Sequence, residues 1–203
     1  MTFWVKTPAI IQWLISDVTW RKKKTDKIIY LTFDDGPIPI ITPKILEILN
    51  QYNARATFFC VGDNVVKHPE IYEKVLAAGH SVGNHTHHHL NGTFTSTKKY
   101  LKDVADCAQV VDSKLFRPPY GRLRWFQKKF LRKHYELIYW DVLSWDFRAE
   151  LSNEQVLKNV LSQTTNGSIV LFHDSLRSEP RVLYALPKFL EHFSKLGFTF
   201  KKL

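Results

Sequence analysis

The 203-residue chain is predicted to fold as one α/β domain around a parallel sheet of about seven strands, and three observations carry that expectation. Short apolar runs of strand type take turns with longer helix-like stretches, the pattern of β-α-β units that makes neighbouring strands parallel. Three groups of metal-binding or proton-transferring residues each follow such a run: Asp34-Asp35 after Ile28 to Phe33, His85 to His89 after Ser81-Val82, and His173-Asp174 after Ile169 to Phe172. Chemistry gathered at strand ends is the arrangement of barrel enzymes. Finally, no Gly-rich, Ser-rich or Pro-rich linker divides the chain, whose length and 44% hydrophobic content suffice for one well-buried core.

Residues 1–27 read as an amino-terminal extension packed on the catalytic domain of residues 28–203. Phe3, Trp4, Ile10, Ile11, Trp13, Leu14 and Ile15 are apolar, but Pro8, Gln12 and Asp17 interrupt them, and no cleavable signal peptide or transmembrane helix is recognisable. That tilts the expected location toward the cytoplasm and leaves peripheral proximity to membrane or cell wall open. Thr7-Pro8 suits a helix N-cap followed by the first helical position, with Trp13 folding back onto the core. The basic run Arg21 to Lys24 reads as a solvated loop.

The domain then unfolds element by element. Ile28 to Phe33 is a strand, ended by the turn-forming Asp34-Asp35-Gly36-Pro37. A helix over Pro43 to Gln51, a strand over Ala56 to Cys60 and a helix over Pro69 to Ala78 follow. Next come a short strand at Ser81-Val82-Gly83, a long helix from Thr97 to Ser113, a short strand at Leu115-Phe116 and a helix from Leu123 to Lys133. Glu136 to Tyr139, Ser168 to Phe172 and Phe198 to Phe200 are the remaining strands, alternating with helices over Asn153 to Gln163 and Pro180 to Leu196. Such a series builds either a closed, irregular barrel or an open doubly wound sheet. No Gly-rich phosphate loop follows the first strand, which disfavours nucleotide binding.

Charge and cysteines bound the function further. The formal charge of +10 makes an anionic neighbour electrostatically favourable without choosing which. Cys60 and Cys107 are too few for a disulfide scaffold and read as two free, buried thiols.

At the end of the first strand, adjacent Asp34 and Asp35 point in different directions, so one can ligate a metal while the other faces a water. Alone, Asp-Asp-Gly-Pro is an ordinary solvent turn. His85 and His89, at i and i+4, are expected on one face of a helical turn, and with one carboxylate they complete a ligand set that keeps open positions. His87 and His88 then point elsewhere.

Five motifs in order give the chain a family resemblance: Thr32-Phe33-Asp34-Asp35-Gly36-Pro37, His85-Thr86-His87-His88-His89, Arg117-Pro118-Pro119-Tyr120-Gly121, Leu143-Ser144-Trp145-Asp146-Phe147 and Leu171-Phe172-His173. The chain resembles the polysaccharide deacetylases with a nodulation-protein-B-like domain, carbohydrate esterase family 4. The resemblance implies an α/β fold that is a distorted, incomplete (β/α) barrel with about seven parallel strands. It also implies metal-dependent hydrolysis of N-acetyl groups from N-acetylglucosamine-containing glycans, peptidoglycan or chitin-like. Under it, Asp35, His85 and His89 hold Zn2+, with Co2+ or Ni2+ able to substitute; Asp34 is the general base, Arg117 orients it, and His173 is the acid. Tyr120, Pro119, Leu171, Trp145 and Phe147 bind substrate. The fourth motif departs from the family's Asp-x-x-Asp-Trp: Leu143 stands at the first aspartate and Phe147 at the tryptophan, so Asp146 serves alone or Asp141 compensates. Trp140 is either part of the pocket wall or core. Other readings are a deacylase or deformylase of a lipid-linked or small sugar and a non-catalytic glycan-binding module. No nucleic-acid partner is expected, and the sequence sets no oligomeric state.

Overall fold

In the computed structural model, which describes residues 4–23 and 26–203, the central strand is β1 (Ile28–Asp34). On one side of it lie in turn β2 (Thr57–Cys60), β3 (Ser81–Asn84), β4 (Leu115–Phe116) and β5 (Glu136–Leu137). On the other lie β7 (Ile169–His173) and then β6 (Val142–Leu143). A last strand, β8 (Thr199–Lys201), pairs with the start of β1. All these pairings are parallel, and the sheet curls into an open half-barrel wrapped by helices, the incomplete barrel expected.

Register places the functional residues. Asp34 pairs with Phe59 on one side and His173 on the other. Cys60 pairs with Asn84, and Asn84 with Phe116. The residues at or just beyond these positions (Asp35, His85, Arg117 and His173) therefore leave the sheet at one end. The central strand presents one apolar face, at residues 29, 31 and 33, while Thr32 and Asp34 on the other face meet Arg117. Ile29, Leu31 and Phe33 are fully buried, and Phe33 stacks on Phe58 at 5.0 Å and on Phe172 at 6.0 Å.

The helices are α1 (Ala9–Leu14), α2 (Ile41–Gln51), α3 (Gly62–Lys67), α4 (Pro69–Ala77), α5 (Thr97–Ala108), α6 (Trp125–Leu131), α7 (Asn153–Gln163) and α8 (Glu179–Lys195). Helix α7 starts where expected because Ser152 and Gln155 form a reciprocal capping box. Several expectations need correction. Strand β6 was not anticipated, its two residues being too few to show a period. Helix α3 was not anticipated, and α5 stops at Ala108 rather than Ser113. Helix α1 has Pro8, not Thr7, at its N-cap, because the Thr7 hydroxyl donates to the Trp140 carbonyl. Trp13 does not fold onto the core but is 71% exposed. Both thiols are buried and unpaired, as expected.

Residues from the amino-terminal segment touch both edges of the half-barrel. Lys6 bridges to Val142, Thr19 to Ile138 and Arg21 to Ser168. The first two members of the basic run are accordingly not free in solvent: Arg21 donates to Asn166 O and Lys22 pairs with Glu136, while Lys23 is exposed and Lys24, like Phe3, lies outside the described residues. Asp141 anchors this contact. Its buried carboxylate accepts from Ser168 Oγ at 2.6 Å and Gln12 Nε2 at 3.0 Å, with Lys6 and Arg21 at 3.6 and 3.7 Å. Replacing Asp141 by Ala removes the acceptor from four groups, two of them cationic and partly exposed, so a loss of about 2 kcal/mol is expected. Denaturant unfolding checks this, and an unchanged midpoint would contradict the anchoring role.

Candidate active site

The second aspartate of the first motif leaves the strand by a left-handed residue: Asp35 has φ 89°, which turns its carboxylate away from that of Asp34. The turn is held from behind. Gly36 N–H donates to Asp174 Oδ1 at 2.9 Å, and Thr42 Oγ1 donates to Asp174 Oδ2 at 2.6 Å. Burial pushes the Asp174 carboxyl up to about 8, against the lowering effect of the Thr42 bond.

His85 and His89 meet Asp35 here, but not on a helical turn. Residues 85–90 form a loop in which Thr86 (φ 64°) and His89 (φ 54°) are both left-handed, and this folds the two rings to 5.1 Å between centroids. The loop is tied down by Asp103, whose Oδ2 accepts from the backbone of His87 and His88 and whose Oδ1 lies 2.6 Å from His88 Nδ1. His87 and His88 are thus directed elsewhere, as expected.

The ligand set fits a divalent cation on its own chemistry. Donor atoms of Asp35, His85 and His89 all lie within 4.8 Å of one another, with His89 Nε2 at 3.2 Å and His85 Nε2 at 3.9 Å from Asp35 Oδ1. His85 Nδ1 donates to the Arg117 carbonyl at 2.7 Å, which leaves the Nε2 lone pair turned to the site. Burial, only partly opposed by Asp34, lowers the His85 pKa to about 4, so the ring is neutral as a ligand must be. Burial tends to raise Asp35, but the His89 hydrogen bond and the charges of His173, His89 and His85 outweigh it and hold the carboxyl well below the usual range.

Asp34 faces the other way. Its Oδ1 accepts from Arg117 Nη1 at 2.7 Å, and its Oδ2 lies 3.8 Å from His85 Nε2. Arg117 is fully buried: it also donates to Thr32 Oγ1 at 2.8 Å, Ile138 O at 3.2 Å and Tyr139 O at 2.9 Å, and it stacks 4.2 Å over the Phe59 ring. Across the site, His173 Nδ1 lies 2.7 Å from Asp146 Oδ1, and the His173 backbone N–H donates to Asp146 Oδ2 at 2.8 Å. Burial acts to lower the His173 pKa, but Asp146, with Asp35 and Asp34 farther off, raises it to about 9.

Asp34, Asp35, His85, His89 and His173 line a cleft of about 510 Å³ whose walls include Tyr120, Trp145, Phe147 and Leu171, all expected to meet substrate. Trp140 also lines it. Tyr120 is presented by a tight turn at Pro119–Gly121 with φ 60°, its ring 4.7 Å from that of His89. One expectation fails, and one of two open alternatives is closed. Pro119 is buried in that turn and does not line the cleft. Asp141 does not compensate for Leu143, because its carboxylate is committed to Ser168 and the amino-terminal segment; Asp146 serves His173, and carbonyls with Thr32 complete Arg117. The sequence reading missed Leu143, Ser175 and Arg177 as cleft residues. Ser175 and Arg177 follow the end of β7 directly, so their strand-end position was the available signal.

Comparison with known proteins agrees with this geometry. The sequence profile of the family described as polysaccharide deacetylase matches residues 21–137. A peptidoglycan-N-acetylglucosamine deacetylase of Bacillus cereus is 36% identical over 90% of this chain and 89% of its own length. The peptidoglycan-N-acetylmuramic acid deacetylase PdaC of Bacillus subtilis is 34% identical over 75% of this chain, which spans only 33% of that longer protein. The crystal structure of a peptidoglycan N-acetylglucosamine deacetylase in complex with 4-naphthalen-1-yl-N-oxidanyl-benzamide superposes with a TM-score of 0.89 at 29% identity, covering 97% of this chain and 95% of that one.

The geometry makes one packing prediction. A Cβ added at Gly36 would meet Asp174 Oδ2 at 1.9 Å, so Gly36→Ala must push the buried carboxylate or the Asp34-Asp35 turn aside. A loss of about 2–3 kcal/mol is expected. Thermal or denaturant unfolding reads it, and full stability in the variant would contradict the tight Gly36–Asp174 packing.

Proposed function

Because this chain belongs to the polysaccharide deacetylase family, we propose that it hydrolyses the N-acetyl amide of N-acetylglucosamine units in a glycan, with peptidoglycan the favoured polymer. The observation that carries the reading is one cleft holding three differently prepared sets of groups. They are a carboxylate oriented by a buried guanidinium, a His-His-Asp ligand set, and a histidine kept protonated by its own aspartate. Binding alone requires neither the oriented carboxylate nor the protonated histidine, which disfavours a glycan-binding module. Support for the polymer comes from the relatives, two of which are named for deacetylation of peptidoglycan sugars.

Asp35, His85 and His89 would hold a divalent cation, with zinc suited to this nitrogen and oxygen donor set. When bound, such an ion polarises the acyl carbonyl and makes water easier to deprotonate. The chain's own residues do the rest. Asp34, its Oδ1 fixed by Arg117, accepts a proton from the attacking water through the remaining oxygen. The Tyr120 backbone N–H, in the middle of its tight turn, is the donor suited to the oxyanion that develops on the carbonyl oxygen. His173, fixed through Nδ1 by Asp146, gives its Nε2 proton to the departing nitrogen as the C–N bond breaks. Acetate and a free amine leave, the water's hydroxyl having stayed on the acyl carbon. Leu171 and the aromatic walls exclude water around the acetyl methyl.

Acetate release measured side by side on peptidoglycan, N-acetylglucosamine oligomers and acetylated xylan tests the reading. Activity on the first is expected, whereas release from xylan alone, or from none, would overturn it.

Single substitutions test the roles. Asp34→Asn is expected to abolish turnover with cation content near that of the unaltered chain, while Asp35→Asn and His89→Ala lose the cation itself. Equal metal loss in Asp34→Asn and Asp35→Asn would contradict the division.

His173→Ala is expected to lower kcat about a hundredfold or more with little change in KM. The acid form of His173 is lost as pH rises through its elevated pKa, so activity falls on the alkaline side. Asp146→Asn removes the main charge that raises this pKa and is expected to move the alkaline limb to lower pH. An unmoved limb in Asp146→Asn would show that Asp146 does not tune His173.

A further inference from the structure

Outside the cleft, the most unusual surface is built by α6 and the loop before α5. Between Asp112 and Glu136 the chain carries eight Lys or Arg side chains and no carboxylate, and only Arg117 among them is buried. Projecting from the same stretch are Trp125 (63% exposed), Phe126 (69%) and Phe130 (48%). Phe94, 85% exposed, adjoins them: Arg124 Nε donates to the neighbouring Thr93 carbonyl, and Gln127 Nε2 to Gly92 O and Thr95 O. Single exposed apolar residues are ordinary, but four large aromatics on one short helix and the loop fastened to it are not.

A second apolar element lies alongside. Helix α1 leaves Trp13, Leu14 and Ile10 exposed at 71, 67 and 60%. The two helices are joined, since Asp17, just past α1, pairs with Lys128 and with Arg132 at 2.8 Å, and Ile11 and Val18 pack into the same small core as Leu131.

We propose that this face seats the protein on an anionic phospholipid bilayer. Aromatic and aliphatic side chains interleaved with cations are what an interfacial helix needs: the rings enter the headgroup boundary while the ammonium and guanidinium groups meet lipid phosphates. Charge complementarity selects an anionic surface. Lys129 lies 4.9 Å over the Trp125 ring, so cation and ring are already presented together. A bilayer fits better than a sugar chain for two reasons. None of Phe94, Trp125, Phe126 or Phe130 lines the cleft, and Ile10 and Leu14 offer nothing to sugar hydroxyls but suit acyl chains. The face begins directly after Tyr120, which borders the cleft, so docking would hold the cleft beside the membrane. The inference stands apart from the deacetylation reading, because its test measures binding and not turnover.

The test is sedimentation of the whole chain with vesicles of phosphatidylcholine alone and of phosphatidylcholine with about one-third phosphatidylglycerol. Two variants accompany it: one combines Trp125→Ser, Phe126→Ser and Phe130→Ser, and the other Lys129→Glu and Lys133→Glu. All five positions are exposed, and unchanged circular dichroism and unfolding midpoints verify that both variants fold. Binding to the anionic vesicles is expected to exceed binding to the neutral ones about tenfold or more and to fall about tenfold in each variant. Raised salt should weaken it in the unaltered chain. Equal binding to both vesicle types, undiminished binding in the variants, or no vesicle binding at all would overturn the proposal. Sedimentation with insoluble peptidoglycan but not with vesicles would also overturn it and assign the face to glycan.

Discussion

The site depends on a guanidinium with no access to water. Arg117 is fully buried, and an uncompensated charge there would cost far more than any surface ion pair gains. Its compensation is complete because four acceptors converge from two parts of the sheet: Thr32 and Asp34 on β1, and the carbonyls of Ile138 and Tyr139 just beyond β5. The Phe59 ring from β2 covers one face. Removing one member of such a buried pair costs about 3–5 kcal/mol, so the arrangement is all or nothing. The Arg117 carbonyl at the same time fixes the tautomer of His85. One residue thereby orients the proposed base through its side chain and a proposed ligand through its backbone.

The two histidines at the strand ends show how partner chemistry sets function. His85 and His173 are both withdrawn from solvent, which by itself disfavours the charged ring. The Nδ1 of His85 meets a neutral carbonyl, and the ring's pKa falls to about 4; that of His173 meets a carboxylate, and its pKa rises to about 9. At neutral pH the first is a lone-pair donor and the second a proton donor. Environments that drive like groups apart in this way separate acid–base roles within one cleft.

The sequence announced most of this, and where it did not the reasons are physical. Strands β1, β2 and β7 are long enough to declare themselves, and Asp34 and His173 end two of them with Asp35 directly after. Strand β6 has two residues, too few for any periodic signal, and its place follows from pairing to β7 alone. His85 and His89 were found together on the wrong ground: an i,i+4 spacing implies a helical turn, whereas left-handed Thr86 and His89 fold a loop to the same end. Non-glycine residues at positive φ are uncommon, so no propensity argument anticipates them. Asp141 and Asp146 lie five residues apart, and sequence could not tell which carboxylate turns inward. The fold decides it, since Asp141 precedes β6 and faces Ser168 and the amino-terminal segment, while Asp146 follows β6 and reaches His173.

This division also explains how the departure in the fourth motif is tolerated. Leu143 stands where the family pattern has an aspartate, yet the buried donors of Arg117 are met without one, by two carbonyls, Thr32 and Asp34. A third carboxylate at that place would add negative charge to a cleft that already holds those of Asp34 and Asp35. Leucine adds apolar wall instead, continuous with Leu171 and Trp140 around the space beside His173. Lowering the local polarity there strengthens the remaining charge interactions, above all those between Arg117 and Asp34 and between His173 and Asp146. Losing one carboxylate thus leaves two matched pairs in a drier cleft, a change the hydrogen-bond network of this chain absorbs without an orphaned charge.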